Sequence, residues 1–262
     1  MLTLAALIFI VTSNVVLGQD DRLGIKRQRY PLNMAEDSVD DRYDGCTEKM
    51  EKLVEEKYLN DEITANKSGF GTAWLNSKKN ITEPKDNLTE KHLIAIYVYT
   101  GVVKGLYKEF NQDVRNGKEK YLSNTFSWYS LHFWLTQAIQ KIEKGCLSAY
   151  RGTNDTFEGV QNTPIRFGSF ASSALNRKRA KRFGNKSCFE IRTCHGANVT
   201  KYSRYPGQKE VLIPPYEIFN ITNIKKNDWC ETVFVFNSTG MISNLNCTLF
   251  KPMKYHNIII SD

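Results

Sequence analysis

Residues 207–215 read Gly-Gln-Lys-Glu-Val-Leu-Ile-Pro-Pro. The apolar run that begins at Glu210 and ends at Ile213 is preceded by a glycine turn and closed by two prolines, which is typical of a short β-strand between turns. A single carboxylate, that of Glu210, stands at the first position of this run. The segment therefore predicts a strand that carries an acidic residue at its start.

Around this strand, the two halves of the chain have different hydrophobic periods. Beyond Cys146 the period is two, with short strand-like runs at 147–151, 165–170, 188–194, 210–213, 216–221 and 231–236 and one helical interruption at about 174–183. Before Cys146 the spacing is helical, clearest in the apolar stripe that runs from Leu131 to Ile142. Residues 59–90 are polar and are expected to run over the surface. Helices first and strands after predict an α+β domain with segregated layers.

Length and composition indicate one folded domain. The chain has 262 residues, of which 41% are apolar and 24% charged, which excludes disordered and collagen-like classes. We expect a signal peptide at 1–18, a flexible arm at 19–40, a single domain at 41–252 and a short tail at 253–262. The net charge is +8, none of it in the first eighteen residues, so the mature protein is equally basic.

The amino-terminal segment predicts export. Residues 1–18 are almost wholly apolar, with small residues at Val16 and Gly18 before a plausible cleavage site at Gln19. An amino-terminal membrane anchor, which needs about 20 apolar residues, is the alternative. At the other end only Ile258–Ile260 form an apolar run, so we expect neither a transmembrane tail nor a lipid-anchor signal. These features predict a secreted, extracellular protein without a membrane anchor, which we expect to be a monomer.

Cysteines and glycosylation motifs agree with export. Six cysteines without a CxxC pair favour disulfides over a metal site, and no metal is expected. Nine Asn-x-Ser/Thr motifs occur, at Asn66, Asn80, Asn87, Asn154, Asn185, Asn198, Asn220, Asn237 and Asn246. We expect several to carry glycan. Asn246 is expected to be one that does not, because it directly precedes Cys247.

Three elements of the strand-rich half occur in a recognisable order. They are Tyr150-Arg-Gly-Thr153, Phe167-Gly-Ser-Phe-Ala-Ser-Ser173 and the segment at 207–215. Together they resemble the R-S-E signature of the vertebrate ecto-mono-ADP-ribosyltransferases. The resemblance extends from about Val39 to Phe250, and includes Tyr97-Val-Tyr-Thr-Gly101 in the helical half. It implies the ADP-ribosyltransferase fold, in which a helical half is followed by two roughly perpendicular antiparallel sheets that flank an NAD cleft.

The resemblance also implies roles for individual residues, with NAD as co-substrate. Cleavage of the nicotinamide glycosidic bond passes through an oxocarbenium-like state, which the Glu210 carboxylate would stabilise. Arg151 suits the pyrophosphate, because a guanidinium grips phosphate bidentately. Ser172 would hold Arg151 and Glu210 in place through hydrogen bonds of its hydroxyl, and Gly152 would let the backbone approach the dinucleotide. No GxGxxG motif is present, so binding in the Rossmann manner is not expected.

The family likeness implies a disulfide framework as well. It gives the bridges Cys46–Cys247 and Cys146–Cys194, which leaves Cys188 and Cys230 to pair with each other.

One position departs from the family pattern. Arginine-specific members carry Glu-x-Glu, and this chain has Gln208 in place of the first glutamate. A guanidinium has a pKa above about 12, and a neutral amide cannot act as the base that would activate it. Lys209 points the other way at strand spacing and would not replace that base. Arginine transfer is therefore in doubt.

The resemblance implies an enzyme that cleaves the nicotinamide glycosidic bond of NAD and passes ADP-ribose to a protein side chain, arginine by family, or to water. The departure at Gln208 adds three alternatives. Transfer to water would make the chain mainly an NAD glycohydrolase. Transfer to a non-arginine side chain of an extracellular or cell-surface protein is the second possibility, as in bacterial exoenzymes that modify asparagine; Tyr205 matches an aromatic residue of their acceptor-recognising turn. A catalytically silent binding paralogue is the third.

A basic run lies in the helical interruption of the strand-rich half. It consists of Arg177, Lys178, Arg179, Lys181 and Arg182. We interpret it as a solvated helical face, with contact to a heparan-like polyanion as the alternative; nucleic acid is not expected for an exported protein. The stretch from Arg179 to Arg182 also fits a secretory convertase site, which folding is expected to protect, and a second trimming site could follow Arg29.

Overall fold

The computed structural model describes residues 29–101, 103, 105–142 and 145–250. The predicted signal peptide, the first part of the predicted arm and the carboxyl-terminal tail lie outside these residues. Within them, no helix has the length and apolar character that a membrane crossing requires.

The elements follow the predicted order of helices and then strands. The helical half comprises β1 (Arg29–Pro31), α1 (Thr47–Leu53), α2 (Leu59–Ala65), α3 (Phe70–Ser77), α4 (Glu90–Thr100), α5 (Leu106–Arg115), α6 (Lys118–Leu122) and α7 (Tyr129–Ile142). The strand-rich half comprises β2 (Leu147–Thr153), β3 (Thr156–Glu158), β4 (Pro164–Ile165), β5 (Ala171–Ala174), α8 (Arg177–Ala180), β6 (Ser187–Thr193), β7 (Ala197–Asn198), β8 (Glu210–Ile213), β9 (Glu217–Lys226) and β10 (Thr232–Met241).

The helical layer packs around α7, most of whose residues are buried. The predicted stripe on this helix is confirmed, and its residues belong to a core that includes Trp128 and Trp134. The expectation of a surface segment at 59–90 is wrong in part, because α2 and α3 form there and bury some of their side chains. Phe70 and Trp74 lie four residues apart on one helical face and are both buried, which anchors α3 to this core.

The sheet has the strand order β4-β9-β10-β6-β2-β5-β8-β7. A single residue pair, Tyr150 with Ala174, joins β2 to β5 and divides the sheet into a five-stranded and a three-stranded part. The two parts correspond to the two expected sheets, but hydrogen bonding is continuous between them. One pairing, that of β10 with β6, is parallel rather than antiparallel. The long connection between these two strands permits it, because parallel neighbours need a crossover of about a dozen residues or more.

The segment before β5 is held by a side chain rather than by strand pairing. A strand was expected at 165–170, whereas the structure has β4 ending at Ile165 and β5 beginning at Ala171. Between them, Arg166 is fully buried and donates hydrogen bonds to the carbonyl groups of Met34 and Ala35. The apolar pattern therefore identified a buried segment, but not its backbone conformation.

The predicted flexible arm is part of the fold from residue 29 onward. β1 pairs in parallel with β3, and Ser38, Val39 and Asp40 are buried. A carboxylate oxygen of Asp40 lies 2.6 Å from Nη1 of Arg166, and neither side chain is exposed. The domain thus begins before residue 41, because the buried charge of Asp40 is compensated by a partner far away in the sequence.

Three disulfides close the fold with the expected pairing. Cys46 is bridged to Cys247, Cys146 to Cys194 and Cys188 to Cys230, and none of the six cysteines is free. The first bridge joins the start of α1 to the end of the described chain. The second ties the segment after α7 to the end of β6, and so connects the helical half to the sheet.

We expect Asn246 to remain unglycosylated. Its side-chain oxygen accepts a hydrogen bond from the backbone N–H of Asp44 at 2.9 Å, and its amide nitrogen donates to the Asp44 carbonyl group at 3.1 Å. A glycan would attach to that nitrogen, beside the bridged Cys247. Glycopeptide mass spectrometry of protein from mammalian cells should find Asn246 unoccupied, and exposed motifs such as Asn66 and Asn154 occupied. Glycan on Asn246 in most molecules would contradict this expectation.

Candidate active site

The structure brings Ser172 and Glu210 together on one face of the three-stranded part of the sheet. In the register of β5 and β8, Ala174 is opposite Glu210 and Ser172 is opposite Leu212. Side chains two residues apart on a strand share a face, so Ser172 is the diagonal neighbour of Glu210. Glu210, the first residue of the strand predicted from the sequence, therefore lies next to Ser172.

Arg151 reaches the same place from the five-stranded part. It follows Tyr150, the residue that joins β2 to β5, and its Nη1 atom donates a hydrogen bond of 2.5 Å to the carbonyl oxygen of Ser172. The three predicted residues thus meet where the two parts of the sheet join. The predicted interaction of the serine hydroxyl with Arg151 is made instead by the Ser172 carbonyl group.

The Glu210 carboxyl group is buried, with only 5% of the residue exposed. Burial raises its pKa, whereas hydrogen bonds from the Ser172 and Ser203 hydroxyls and the charge of Arg151 lower it. Burial is the largest of these effects, so the pKa stays above its ordinary value. When ionised, this carboxylate is shielded from water and acts in a medium of low dielectric, where it stabilises a nearby positive charge more strongly than in solvent.

Two further residues of this cluster were missed by sequence reasoning. Ser203 is buried, and its Oγ atom accepts a hydrogen bond of 3.1 Å from the backbone N–H of Tyr205. Tyr99 donates a hydrogen bond of 2.9 Å to the Phe170 carbonyl group, and burial raises the pKa of Tyr99 to about 12. Nothing in the local pattern distinguished Ser203 from other serines. Tyr99 lies in the stretch at 97–101 that carried the family likeness.

The structure shows why position 152 requires a glycine, for a reason that the sequence did not predict. A Cβ atom at this position would lie 2.5 Å from the carbonyl oxygen of Ala180 and 2.6 Å from that of Gly184. The missing side chain therefore allows the segment after β5 to pack directly on β2, beside Arg151. Approach of the dinucleotide to the Gly152 backbone stays a prediction.

The predicted acceptor residues lie on a turn just before Glu210. Pro206–Gln208 form one turn of 3₁₀ helix, in which the Gln208 N–H donates to the Tyr205 carbonyl group at 2.8 Å. Tyr205 is 37% exposed and Gln208 is half-buried. Lys209 is exposed and Glu210 is buried, so the two side chains enter different environments. Strand alternation is not the reason, because Lys209 precedes β8 and has a positive φ of 50°.

One cation of the basic run is engaged in the fold. The Arg177 guanidinium lies 2.7 Å from a Glu190 carboxylate oxygen and stacks over the rings of Tyr150 and Trp229. Lys178, Lys181 and Arg182 are exposed. Within the predicted convertase segment Ala180 is buried, but Arg182 and Phe183 on either side of the cleavage point are exposed, so protection by folding stays a prediction.

Comparison with known proteins identifies the family of this chain. The family model described as "ART: NAD:arginine ADP-ribosyltransferase" matches residues 32–240. The chain belongs to this family. Membership confirms the expected enzyme class, an NAD-dependent ADP-ribosyltransferase, and NAD as its co-substrate. In the described part of the chain, no group of three or more His, Cys, Asp or Glu residues could hold a metal ion.

Several curated relatives cover most of the chain. Ecto-ADP-ribosyltransferase 5 of Bos taurus is 34% identical over an aligned length of 272 residues, gaps included. The alignment covers 97% of this chain and 84% of the relative. Ecto-ADP-ribosyltransferase 4 of Homo sapiens is 35% identical and covers 85% of this chain and 74% of its own. The GPI-linked NAD(P)(+)–arginine ADP-ribosyltransferase 1 of Oryctolagus cuniculus is 32% identical, and the alignment covers 87% of this chain and 76% of that relative.

A solved structure confirms the expected α+β fold of the ADP-ribosyltransferase family. The eukaryotic mono-ADP-ribosyltransferase ART2.2 superposes with a TM-score of 0.72 at 31% identity, over 83% of this chain and 98% of its own. Variants of ART2.2 in complex with NADH and with NAD superpose with the same score.

Proposed function

We propose that this chain is an extracellular member of the family that cleaves the nicotinamide–ribose bond of NAD and passes ADP-ribose mainly to water. The observation that carries the proposal is the buried carboxyl group of Glu210, which the hydroxyls of Ser172 and Ser203 and the charge of Arg151 hold at the start of β8.

The residues present fit NAD. The guanidinium of Arg151 is a permanent cation at the junction of the two parts of the sheet, and it suits the pyrophosphate. Glu210 is an acceptor-only group once ionised, so it can also accept a hydrogen bond from a ribose hydroxyl. The complexes of ART2.2 variants with NAD and with NADH support NAD as the co-substrate.

The chemistry requires little beyond charge stabilisation. The nicotinamide nitrogen of NAD is cationic and leaves as a neutral ring, so bond cleavage needs no proton donor. Positive charge moves to the ribose as the bond lengthens, and the Glu210 carboxylate would stabilise it. A buried carboxylate without a partner acid meets this requirement. Ser172 and Ser203 would act as positioning residues that keep the carboxylate in place.

The choice of acceptor depends on the turn at Tyr205 and Gln208. Gln208 offers a neutral amide where arginine-specific members carry a carboxylate, so no base is present there to activate a guanidinium. Water needs no specific contact and is the main acceptor that we propose. The exposed ring of Tyr205 favours one second candidate, transfer to a non-arginine side chain of an acceptor protein.

The location that we propose is extracellular. Three disulfides support it, because such bridges persist in oxidising compartments. We propose that the exposed cations Lys178, Lys181 and Arg182 contact a sulfated polyanion. We further propose that the protein is released into the medium without an anchor. Expression of the full chain in cultured cells tests release. Protein found on the cell surface, and freed by a phospholipase specific for GPI anchors, would contradict it.

The function is tested with NAD labelled in its adenylate half. We expect nicotinamide release matched by free labelled ADP-ribose, with little label in protein and no increase on addition of a small guanidine acceptor. The second candidate would be favoured if label is transferred to added proteins and stays on them after a treatment that releases ADP-ribose only from arginine. Absence of nicotinamide release under every condition would indicate a silent paralogue.

Replacement of Ser203 by Ala should move the acid limb of the pH profile of nicotinamide release to higher pH. The carboxylate of Glu210 must be ionised to act, and the Ser203 hydroxyl lowers its pKa. Loss of a hydrogen bond to the charged form should raise that pKa further. The pH profile of nicotinamide release measures the shift. Ser77→Ala, which removes a buried hydroxyl far along the chain in α3, is the control and should leave the profile unchanged. A profile of Ser203→Ala that coincides with wild type would contradict the contact.

A further inference from the structure

A cavity of about 290 Å³ lies beside the acceptor turn and is not accounted for by the chemistry at Glu210. Its walls come from residues 80–82, from α4 and from residues 201–206. Pro206 contributes to the wall and begins the 3₁₀ turn that ends at Gln208. Ser203, another wall residue, hydrogen-bonds Glu210. The cavity therefore adjoins the acceptor side of the candidate active site.

Arg204 is fixed in the wall of this cavity. Its backbone N–H donates a hydrogen bond of 2.9 Å to the hydroxyl of Thr100, which ties the loop to the end of α4. Its guanidinium lies 5.0 Å from the centre of the Tyr97 ring. A cation held over an aromatic face keeps its charge and its N–H donors, so it can still bind an anion. The loop thus presents a pre-organised guanidinium to the cavity.

The charge of the walls is positive. Lys201 and Arg204 are both wall residues, and the described wall contains no acidic side chain. Asp86, which lies nearby, accepts a hydrogen bond from the Tyr202 hydroxyl at 2.7 Å and is 3.6 Å from the Lys201 ammonium group. That carboxylate therefore fixes Tyr202 and lies close to the charge of Lys201, whereas Arg204 is an exposed cation of the wall.

Size and chemistry together indicate the class of ligand. The volume is at the lower end of the range of small-molecule pockets, which suits one or two amino-acid side chains better than a dinucleotide. A carboxylate matches a guanidinium, and Ile81 and Leu93 in the wall offer an apolar surface for the aliphatic part of a glutamate.

We propose that this cavity is a docking site for acidic side chains of an acceptor protein, beside the turn that presents Tyr205 and Gln208. The proposal rests on the second candidate of the proposed function, transfer to a non-arginine side chain of an acceptor protein. Acidic residues that flank the modified side chain would bind at Arg204. They would place that side chain close to Glu210, and so give the enzyme a preference among proteins that the turn alone does not provide.

Binding of a fluorescent peptide tests the proposal. The probes are a fluorescein-labelled peptide of alternating Gly and Glu and the same peptide with Gln at every Glu. Arg204→Gln keeps a polar side chain and removes the charge; Arg192→Gln removes the same charge from an exposed residue of β6. All proteins carry Asn80→Gln, so that a glycan at the edge of the cavity cannot compete.

We expect fluorescence anisotropy to show at least tenfold tighter binding of the Glu peptide than of the Gln peptide. Arg204→Gln should abolish this difference, and Arg192→Gln should keep it within twofold. Equal losses in both variants, or no preference in the parent protein that carries Asn80→Gln alone, would overturn the proposal. Nicotinamide release is measured in the same preparations without peptide. Release without Arg204-dependent binding overturns the docking site alone, and binding without release contradicts the proposed function alone.

Discussion

Replacement of Glu210 by Gln should lower nicotinamide release from NAD by about 100- to 1,000-fold, the usual cost of removing one pre-organised electrostatic group from an active site. The amide is nearly isosteric with the carboxylate and can still contact Ser172 and Ser203. It carries no charge, however, and cannot stabilise the positive charge that develops on the ribose. Initial rates of nicotinamide release at saturating NAD measure the effect.

The stability of this variant separates loss of chemistry from loss of fold. Because burial raises the pKa of Glu210 above its unfolded value, ionisation destabilises the folded state once the pH exceeds that unfolded value. Glu210→Gln should therefore unfold at the same or a higher temperature at neutral pH. Glu231→Gln, which changes an exposed carboxylate, is the control and should retain full activity. Near-normal release from Glu210→Gln would contradict the role proposed for this carboxylate.

Replacement of Gln208 by Glu should create transfer to a small guanidine acceptor. A positioned general base contributes about 100- to 10,000-fold, so we expect at least a hundredfold gain over wild type. Gln208 is half-buried on the turn directly before β8, where a carboxylate would be partly shielded from water and close to Glu210. Labelled ADP-ribose bound to the guanidine, separated by chromatography, measures the gain.

Two controls make this gain specific. Gln161→Glu places a carboxylate on an exposed residue outside the turn and should give no guanidine transfer. Gln208→Glu with Glu210→Gln should also give none, because bond cleavage must come before transfer. Efficient guanidine transfer by the unmodified chain would show that Gln208 does not limit the acceptor, and that the preference for water is wrong.

Local sequence patterns predicted the elements with the strongest periodicity. The stripe of α7 and the apolar run of β8 appear at the expected residues, because each pattern reports burial of one face or of a whole short strand. Arg151, Ser172 and Glu210 could be selected only jointly, from their order and family likeness. The structure then places them together at the junction of β2, β5 and β8.

Features that depend on distant partners could not be predicted in this way. The arm before residue 41 is polar, and its burial depends on the ion pair of Asp40 with Arg166, 126 residues away. The parallel pairing of β10 with β6 has no signature in the local sequence of either strand. Ser203 acquires its importance only when the turn at Tyr205 folds back on β8 and brings its hydroxyl to Glu210.

The most direct test of the account is the fate of NAD in the presence of the purified, glycosylated wild-type chain alone. We predict many turnovers per molecule, with nicotinamide and free ADP-ribose formed in equal amounts and loss of both products in Glu210→Gln. Binding of NAD without any nicotinamide release would contradict the account, and would leave the buried carboxylate as part of a binding site.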